Sequence, residues 1–304
     1  MVQKSWSDVE KTFSQNKIIG SQNTRIPYLT VDNFPDLGLL VSLRFLEWAS
    51  ENPKGIISLP TGKTPEYFIK WTHYLLNNWE SRSISALREE KGLLISKQPD
   101  LSKLTFVQID EFFPMDPSQK NSFYNYVRTY YLNGFGISED RALLINSNEI
   151  LLADKKKWIE IFPDGTIDIT LRNRESLSSL ERSQQSSIYL IDQWCSEYEE
   201  KIREMGGIGF FLGGIGPDGH IAFNVRGSDH NSTTRLTETN FETQAAAATD
   251  LGGIDVSRTK LVITIGLGTI SYNEDAVAII LAAGEAKSPI VKESLENISN
   301  IKYP

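Results

Sequence analysis

Residues 207–224 read GIGFFLGGIGPDGHIAFN, an apolar run that ends in a glycine-rich turn. Continuous rather than alternating apolarity is typical of a strand that is buried on both faces of a parallel sheet. Four other runs have the same character, and patterns of helical period follow most of the five; they are GIISLP (55–60), LTFVQID (104–110), LVITIG (261–266) and AVAIILAAG (276–284). The sequence therefore predicts an α/β fold with a mostly parallel, doubly wound sheet.

Two segments between these runs carry apolar residues at helical spacing, 37–50 and 65–79. Pro65 is suited to a first helical turn, and we interpret the aromatic residues of both segments as core residues and not as ligand contacts. The charged stretch 80–100 predicts a solvated helix and loop, with the lesser alternative that it covers the functional site.

Residues 151–187 differ from their surroundings because they are polar and contain a Pro-Asp-Gly turn signal at 163–165. This pattern predicts a short hairpin followed by a mobile loop. We interpret the segment as an insertion within a single domain that spans 1–304, with residues 1–30 as an N-terminal extension.

The composition excludes several classes of function. With 31 Lys and Arg residues against 39 Asp and Glu, the formal charge of −8 provides no basic surface to hold a nucleic-acid backbone. Cys195 is the only cysteine, which excludes an intramolecular disulfide and a Cys-rich zinc site. The first residues lack the apolar segment of a secretory signal, and the longest apolar run is too short to cross a bilayer. We expect a cytoplasmic protein without a membrane partner.

In a doubly wound sheet, ligands bind at the carboxyl ends of the strands, and three strand endings carry polar chemistry. The first is PTGKTP at 60–65, a hydroxyl-bearing turn between a strand and a helix start, which is suited to phosphate. A Walker A motif would need glycine where Ile57 stands, so a nucleoside triphosphate site is excluded. A capped turn without a ligand stays as an alternative. The candidate residues are Thr61, Gly62, Lys63 and Thr64.

The second ending places two carboxylates, Asp110 and Glu111, directly after a buried run. Adjacent residues of a strand point to opposite faces, so only one of the two faces a given pocket. Burial would raise the pKa of that carboxyl group and make it a general base near neutral pH. The alternative is a structural pair of caps or salt-bridge partners.

The third ending contains Gly216, Asp218 and His220. Glycine lets the backbone approach a ligand closely, and Asp218 is near enough in sequence to orient the imidazole of His220 for proton transfer. Gly214, Gly216 and Gly219 also satisfy the letters of the dinucleotide motif GxGxxG, but no clear acidic partner follows about 20 residues later, so that motif is weak here.

Five motifs, LPTGKTP, QIDEFFP, GGIGPDGHIAFN, ITIGLGTI and AAGEAKS, occur in an order that resembles the glucosamine-6-phosphate deaminase (isomerase) family. The resemblance runs from about Gly55 to Lys292 and is poor across 151–187. The related 6-phosphogluconolactonases share the Gly-x-Gly-x-Asp-Gly-His core and usually diverge after the histidine. The resemblance implies a three-layer Rossmann-like fold, conversion of glucosamine 6-phosphate and water into fructose 6-phosphate and ammonia, and neither an organic cofactor nor a metal.

The resemblance also implies roles for individual residues. Asp110 matches the base that moves a proton between C2 and C1 of the open-chain sugar, His220 matches the proton carrier of ring opening, and Asp218 matches the carboxylate beside it. The residues that match the phosphate site are Thr61, Gly62, Lys63, Thr64 and Lys287, and we add Gly216 as a substrate-binding residue.

Two positions depart from the family pattern. The deaminases continue the histidine motif with a glutamate where this chain has Val225. The phosphate-binding arginine of the family is not found in AAAATDLGG (245–253), although Arg226, Arg235 and Arg258 lie nearby in sequence. Both departures affect deamination more than the binding of a phosphosugar.

Three hypotheses follow for the function. The first is an amino-sugar phosphate deaminase and isomerase. The second is a 6-phosphogluconolactonase-type hydrolase, in which His220 activates water and the missing glutamate matters less. The third is a non-catalytic phosphosugar-binding protein, which the lack of a basic helix-turn-helix disfavours as a DNA-binding regulator. In all three the partner is a small sugar phosphate, and the sequence leaves open a homo-oligomer.

Overall fold

The computed structural model describes residues 6–14, 26–251 and 260–297. Its strands are β1 (Ile56–Ser58), β2 (Thr105–Val107), β3 (Asp110–Phe113), β4 (Ala142–Leu143), β5 (Phe210–Gly214), β6 (Arg235–Thr237), β7 (Leu261–Thr264) and β8 (Val277–Leu281). Its helices are α1 (Asp8–Ser14), α2 (Phe34–Glu51), α3 (Glu66–Asn77), α4 (Arg82–Glu90), α5 (Phe123–Tyr126), α6 (Asn133–Phe135), α7 (Trp158–Ile161), α8 (Ser179–Glu204), α9 (Phe241–Leu251), α10 (Leu267–Ile270) and α11 (Ser288–Glu296).

Shorter helical segments connect these elements. A π-helical stretch, Val127–Leu132, joins α5 to α6. The 3-10 turns are Leu101–Lys103, Glu139–Arg141, Ser147–Glu149, Ala153–Lys155, Ile169–Arg172 and Glu285–Lys287. Across the described ranges, no helix has the length and apolarity that a bilayer crossing requires.

Five strands of the described chain form one parallel sheet in the order β4-β2-β1-β5-β8. In its centre, Ile57 of β1 pairs with Phe106 of β2 on one side and with Phe210 of β5 on the other. Helices pack on both faces, so the predicted α/β fold with a mostly parallel sheet is confirmed.

The two large hydrophobic cores of the described residues lie on opposite faces of the parallel sheet, so the sheet and its helices form three layers. Along β5 the side chains alternate, with Phe210 and Leu212 packing towards α2 and α3 and Phe211 packing towards the long helix α8. All three side chains are fully buried. The continuous apolar pattern of this run is therefore explained by helices that cover both faces of the sheet.

The run LVITIG does not belong to the parallel sheet, so its predicted strand direction was wrong. It forms β7, which lies between β3 and β6 in a second, antiparallel sheet. All four residues of β7 are buried, which explains its apolarity. An apolar pattern reports burial and carries no information about the direction of the neighbouring strands.

The run LTFVQID also divides between the two sheets. β2 ends at Val107, and β3 begins at Asp110 in the antiparallel sheet. The buried side chain of Gln108 bridges the break, because its amide donates to the backbone oxygen of Asp110 at 2.8 Å and accepts from the backbone N–H of Ile145 at 2.9 Å. These bonds replace ladder bonds that the chain loses where it changes sheet.

β8 is less buried than predicted because it lies at the edge of the parallel sheet. Ala278 and Ile280 are exposed on one face, while Leu281 is buried. An edge strand has a neighbour on one side only, so continuous apolarity overstated its burial.

The hairpin predicted within 151–187 is absent, because none of these residues lies in a strand. The segment contains short helical turns, and its residues from Ser179 onward already belong to α8. Gln184 and Gln185 of that helix donate to the backbone oxygens of Ile161 and Leu171, which holds the segment against the core. The interpretation of the segment as an insertion, and of 1–30 as an extension, stays a prediction.

The charged stretch 80–100 contains the predicted helix, α4. Since α3 leads the chain away from the carboxyl end of β1 and β2 begins at Thr105, this stretch lies towards the amino edge of the sheet. It therefore does not cover the carboxyl edge, and the alternative that it covers the site was wrong.

Phe210 generates a stability prediction, because its ring lies 5.3 Å from the rings of both Phe45 and Trp48. We expect Phe210→Ala to lower the free energy of unfolding by about 3–5 kcal/mol, through lost burial and the cavity left behind. Leu177→Ala is the control, because Leu177 is 84% exposed, and we expect a change below about 0.5 kcal/mol. Urea denaturation measures both, and equal effects would contradict this packing.

Candidate active site

The turn PTGKTP (residues 60–65), which the sequence suggests for phosphate, lies at the carboxyl edge of the parallel sheet, as predicted. An ideal Cβ built on Gly214, at the end of β5, would lie 3.7 Å from the side chain of Thr64, so the endings of β1 and β5 are adjacent. Two tyrosine hydroxyls hold the turn from the other side. Tyr131 donates to the backbone oxygen of Pro60 at 2.6 Å, and Tyr126 donates to that of Gly62 at 3.0 Å.

The lysines of the predicted phosphate site differ in their surroundings. Lys63 is exposed on the turn. Lys287 is half-buried in the turn after β8, where burial lowers the pKa of its ammonium group. The helix that follows it places Ile290 against Gly219, since a Cβ on Gly219 would lie 3.0 Å from Ile290. Lys287 is therefore carried to the same edge as the His220 loop (residues 215–224).

The two adjacent carboxylates have different environments. Glu111 accepts hydrogen bonds from the backbone N–H of Phe112 and Tyr124 and from the hydroxyl of Ser122, at 2.8–2.9 Å. It ties β3 to the start of α5. Burial nevertheless raises its pKa to about 7, because desolvation outweighs these hydrogen bonds.

Asp110 is buried without such partners. The residue is 8% exposed, and the described residues offer its carboxylate no hydrogen-bond donor. Burial, with a further contribution from the charge of Glu111, raises its pKa well above the ordinary value. Of the two carboxylates, Asp110 is the one available to a ligand.

Asp218 and His220 form the predicted pair. The Nδ1 atom of His220 lies 2.6 Å from Oδ1 of Asp218, and the side chain of Asn240 donates to the other carboxylate oxygen. Burial by itself would raise the pKa of Asp218, but the hydrogen bonds from His220 and Asn240 outweigh it and lower the pKa to about 2. Asp218 is therefore ionised at neutral pH.

Gly216 lies directly behind the imidazole. A Cβ at this position would come within 2.2–2.6 Å of three ring atoms of His220, so only glycine leaves room for the ring. Residues 220–224 continue as turns and isolated bridges. A dinucleotide site would require a helix to begin here, so the weak GxGxxG reading is excluded.

The antiparallel sheet brings Asp110 next to the His220 loop. Thr264 of β7 pairs directly with Asp110 of β3, and its hydroxyl accepts a hydrogen bond from the backbone N–H of Phe223 at 3.2 Å. Asn224 adds a second link, because its amide donates to the backbone oxygens of Ile221 and Ile265, both at 3.0 Å.

The glycines of the ITIGLGTI motif have a packing role in the structure. A Cβ on Gly266 would lie 1.9 Å from the backbone oxygen of Ser232, and Gly268 is packed against the same segment. The backbone N–H of Gly268 donates to Ser232 at 2.9 Å. These glycines allow two backbone segments to touch beside the site.

The positions that depart from the family pattern lie close to the His220 loop. Val225 is half-buried. Arg226 donates to the backbone oxygen of Asp218 at 3.1 Å.

Arg235 donates to the backbone oxygen of Thr233 and to the hydroxyl of Ser228, both at 3.3 Å. Arg258 lies outside the described residues.

Several contributing residues were missed from the sequence, namely Gln108, Asn240, Thr243 and Thr264. Asn240 carried a usable signal, because asparagine before a helical segment is a common N-cap. The other three carried none, since their partners are distant in sequence. The ring of His73 contacts that of Phe135, with 5.5 Å between the ring centroids.

Two cavities of the described chain do not include Asp110, Asp218 or His220 in their lining. One, of about 300 Å³, is lined by residues of the 79–96 region, among them Trp79 and Arg88. The other, of about 270 Å³, lies beside α8 and includes Trp194 and Tyr198. Among the described side chains, no group of three or more His, Cys, Asp or Glu residues is arranged to hold a metal ion.

Comparisons with known proteins agree with the resemblance of the sequence and with the fold. The chain is 25% identical over 276 residues to the glucosamine-6-phosphate deaminase of Bacillus velezensis. The aligned region covers 91% of this chain and 90% of that enzyme. The resemblance to the glucosamine-6-phosphate deaminases is thereby confirmed. No protein-family model matches the sequence.

Solved structures of the deaminases and of the lactonases share the fold. A monomeric glucosamine-6-phosphate deaminase aligns with a TM-score of 0.63 at 20% identity, over 90% of this chain and 88% of the other. The 6-phosphogluconolactonase from Plasmodium vivax aligns with a TM-score of 0.55 at 16% identity, over 94% of this chain and 85% of the other. At these identities the likeness concerns the fold.

The contact between Gly216 and His220 is directly testable. We expect Gly216→Ala to displace the imidazole and break its hydrogen bond to Asp218, because the added methyl group would overlap the ring. Gly214→Ala is the matched control, since its methyl group would meet Thr64 at an ordinary 3.7 Å. Side-chain ¹⁵N NMR of histidine measures the effect. Identical His220 signals in both variants would contradict the geometry.

Proposed function

We propose that this chain converts glucosamine 6-phosphate and water into fructose 6-phosphate and ammonia. The observation that carries the proposal is the position of Asp110. Its buried carboxyl group has no hydrogen-bond donor among the described residues, and Thr264, its partner in the sheet, also binds the His220 loop. A base and a second proton carrier at one strand edge are the groups that an aldose–ketose proton transfer requires.

Phosphate binding is assigned to the turn of residues 61–64. Its backbone N–H groups and two threonine hydroxyls lie ahead of α3, whose N-terminal dipole favours an anion. Lys63 and Lys287 supply positive charge. The tyrosine hydroxyls on Pro60 and Gly62 hold this turn in place, so the sugar is anchored by its phosphate while its other end meets the acid–base groups.

Ring opening is assigned to His220. Because Asp218 is ionised, it accepts the Nδ1–H of the imidazole and leaves Nε2 to exchange a proton with the sugar. His220 removes the proton from the C1 hydroxyl and returns it to the ring oxygen as the C1–O5 bond breaks. The product of this step is the open-chain aldehyde.

Isomerisation is assigned to Asp110. Its carboxylate takes the proton from C2 and delivers it to C1, while a proton passes from the amine nitrogen to O1, so that the amine-bearing C2 becomes a ketimine. Water adds to the C=N bond, ammonia leaves, and C2 becomes the ketone of fructose 6-phosphate. The raised pKa of Asp110 suits this role, since the group must both accept and return a proton near neutral pH.

The first test is release of ammonia and fructose 6-phosphate from glucosamine 6-phosphate. We expect Asp110→Asn to lower kcat by at least about 100-fold, because the amide cannot accept the C2 proton. In the native protein, kcat/KM should rise with pH as Asp110 ionises, with a midpoint above the ordinary pKa of 3.8. Asp116→Asn is the control, because Asp116 is exposed and its carboxylate accepts hydrogen bonds only from Ser118 among the described residues.

Val225 favours a second candidate function, hydrolysis of 6-phosphogluconolactone. In that reaction His220 takes a proton from water, the hydroxide adds to the lactone carbonyl, and the ring C–O bond breaks as His220 returns the proton to the ring oxygen, which gives 6-phosphogluconate. One base suffices, so the absent glutamate matters less. Turnover of the lactone without ammonia release from the amino sugar would replace the first proposal with this one.

Val225 also provides a gain-of-function test. Its backbone position is set by the preceding residue, Asn224, whose amide donates to the backbone oxygens of Ile221 and Ile265. A longer side chain at 225 should therefore lie beside the His220 loop. We expect Val225→Glu to raise kcat for deamination by on the order of 100-fold, because it adds an acid–base group. Val225→Gln is the neutral control and should give no increase. An unchanged Val225→Glu variant would indicate a site arranged for another reaction.

A further inference from the structure

Asn240 has two functions in one side chain. Its Oδ1 atom accepts a hydrogen bond from the backbone N–H of Thr243 at 3.0 Å, and its backbone oxygen accepts from Gln244 at 2.9 Å. These bonds make it the N-cap of α9. Its Nδ2 atom donates to Oδ2 of Asp218. The start of α9 and the Asp218–His220 pair are therefore joined through one amide.

The orientation of this amide follows from its partners. The carbonyl oxygen faces an N–H donor, and the NH₂ group faces a carboxylate that can only accept. A flipped amide would set two donors against each other and two acceptors against each other. Asn240 therefore has a single favourable arrangement, in which it occupies the carboxylate oxygen that His220 does not use.

The surroundings of His220 show what this contact restrains. Gly216 lies behind the ring, and the hydroxyl of Thr243 lies 3.3 Å from Nδ1. Asp218 has two equivalent oxygens, so without a partner for the second one its carboxylate could rotate and release the imidazole. Asn240 removes that freedom, because both oxygens then have different, fixed partners.

We propose that Asn240 is a positioning residue for proton transfer, acting through Asp218 to hold the orientation and tautomer of His220. This inference rests on the proposed function for its kinetic consequence, whereas its structural consequence is independent of any substrate. It also makes formation of the first turn of α9 and alignment of the histidine a single event, since the same side chain completes both.

Two substitutions separate the functions of Asn240. Asn240→Ser keeps an oxygen that can cap α9 but is too short to reach Asp218. We expect kcat to fall on the order of 10- to 100-fold with little change in KM, as for other groups that orient a reacting side chain. The ratio of native to variant kcat should be nearly independent of pH.

Asn240→Asp should respond differently to pH. At neutral pH the introduced carboxylate faces that of Asp218, and the like charges disturb the pair. As the pH falls, the two carboxylates take up a shared proton, and the protonated acid can donate as the amide did. We therefore expect the ratio of native to variant kcat to shrink towards acid pH, which a purely structural role of Asn240 would not produce.

Asn33 offers a matched control far from the site in sequence. It caps α2 with the same geometry, accepting from the backbone N–H of Asp36 at 2.9 Å and donating to the Asp36 carboxylate at 2.8 Å. Asn33→Ser and Asn33→Asp make the same chemical changes, and we expect both to leave kcat and its pH profile unchanged.

An assay without substrate distinguishes failure of this inference from failure of the proposed function. The chain has three histidines, so ¹⁵N NMR can assign His220 by substitution of the other two. We expect a protected Nδ1–H signal in the native protein and its loss in Asn240→Ser. That loss supports the inference even if no sugar phosphate is turned over. An unchanged His220 signal, or a pH-independent ratio for Asn240→Asp in an active enzyme, would overturn it.

Discussion

The buried amide of Asn224 connects the two parts of the fold on which the site depends. It donates to Ile221, in the loop that follows β5 of the parallel sheet, and to Ile265, at the end of β7 in the antiparallel sheet. The side chain is fully buried, so an unpaired amide there would carry a desolvation penalty. The two sheets are thereby held in one relative position, and the His220 loop lies against the strand that pairs with Asp110.

The site shows how burial alone does not determine the state of a carboxyl group. Glu111 and Asp218 are both buried and both receive several donors, yet desolvation dominates in Glu111 and hydrogen bonding dominates in Asp218. Asp110 is buried and has no hydrogen-bond donor in the described part of the chain, so burial and the charge of Glu111 raise its pKa. Three carboxyl groups near one strand edge thus differ in state: Glu111 links two elements, Asp218 is an ionised partner of histidine, and Asp110 has a raised pKa.

Much of the architecture was predictable because strand burial appears directly in the apolar pattern. The runs that became β1, β2 and β5 were recognised in this way, and so was the position of PTGKTP at a strand ending. The direction of β7 was not predictable, since either direction buries the same side chains. The segment 151–187 was misread because its contacts with the core come from glutamines of α8, which no local pattern reveals.

The sequence by itself determined the features that depend on near neighbours along the chain. Asp218 and His220 are two residues apart in a glycine-rich turn, and Thr61–Thr64 follow a buried strand. Only the tertiary structure decided which of Asp110 and Glu111 is free, that Thr264 lies between Asp110 and the histidine loop, and that Asn240 holds Asp218. These contacts join residues more than 10 positions apart, and they are selected by sheet pairing and by the need to satisfy buried polar groups, neither of which is encoded in a local motif.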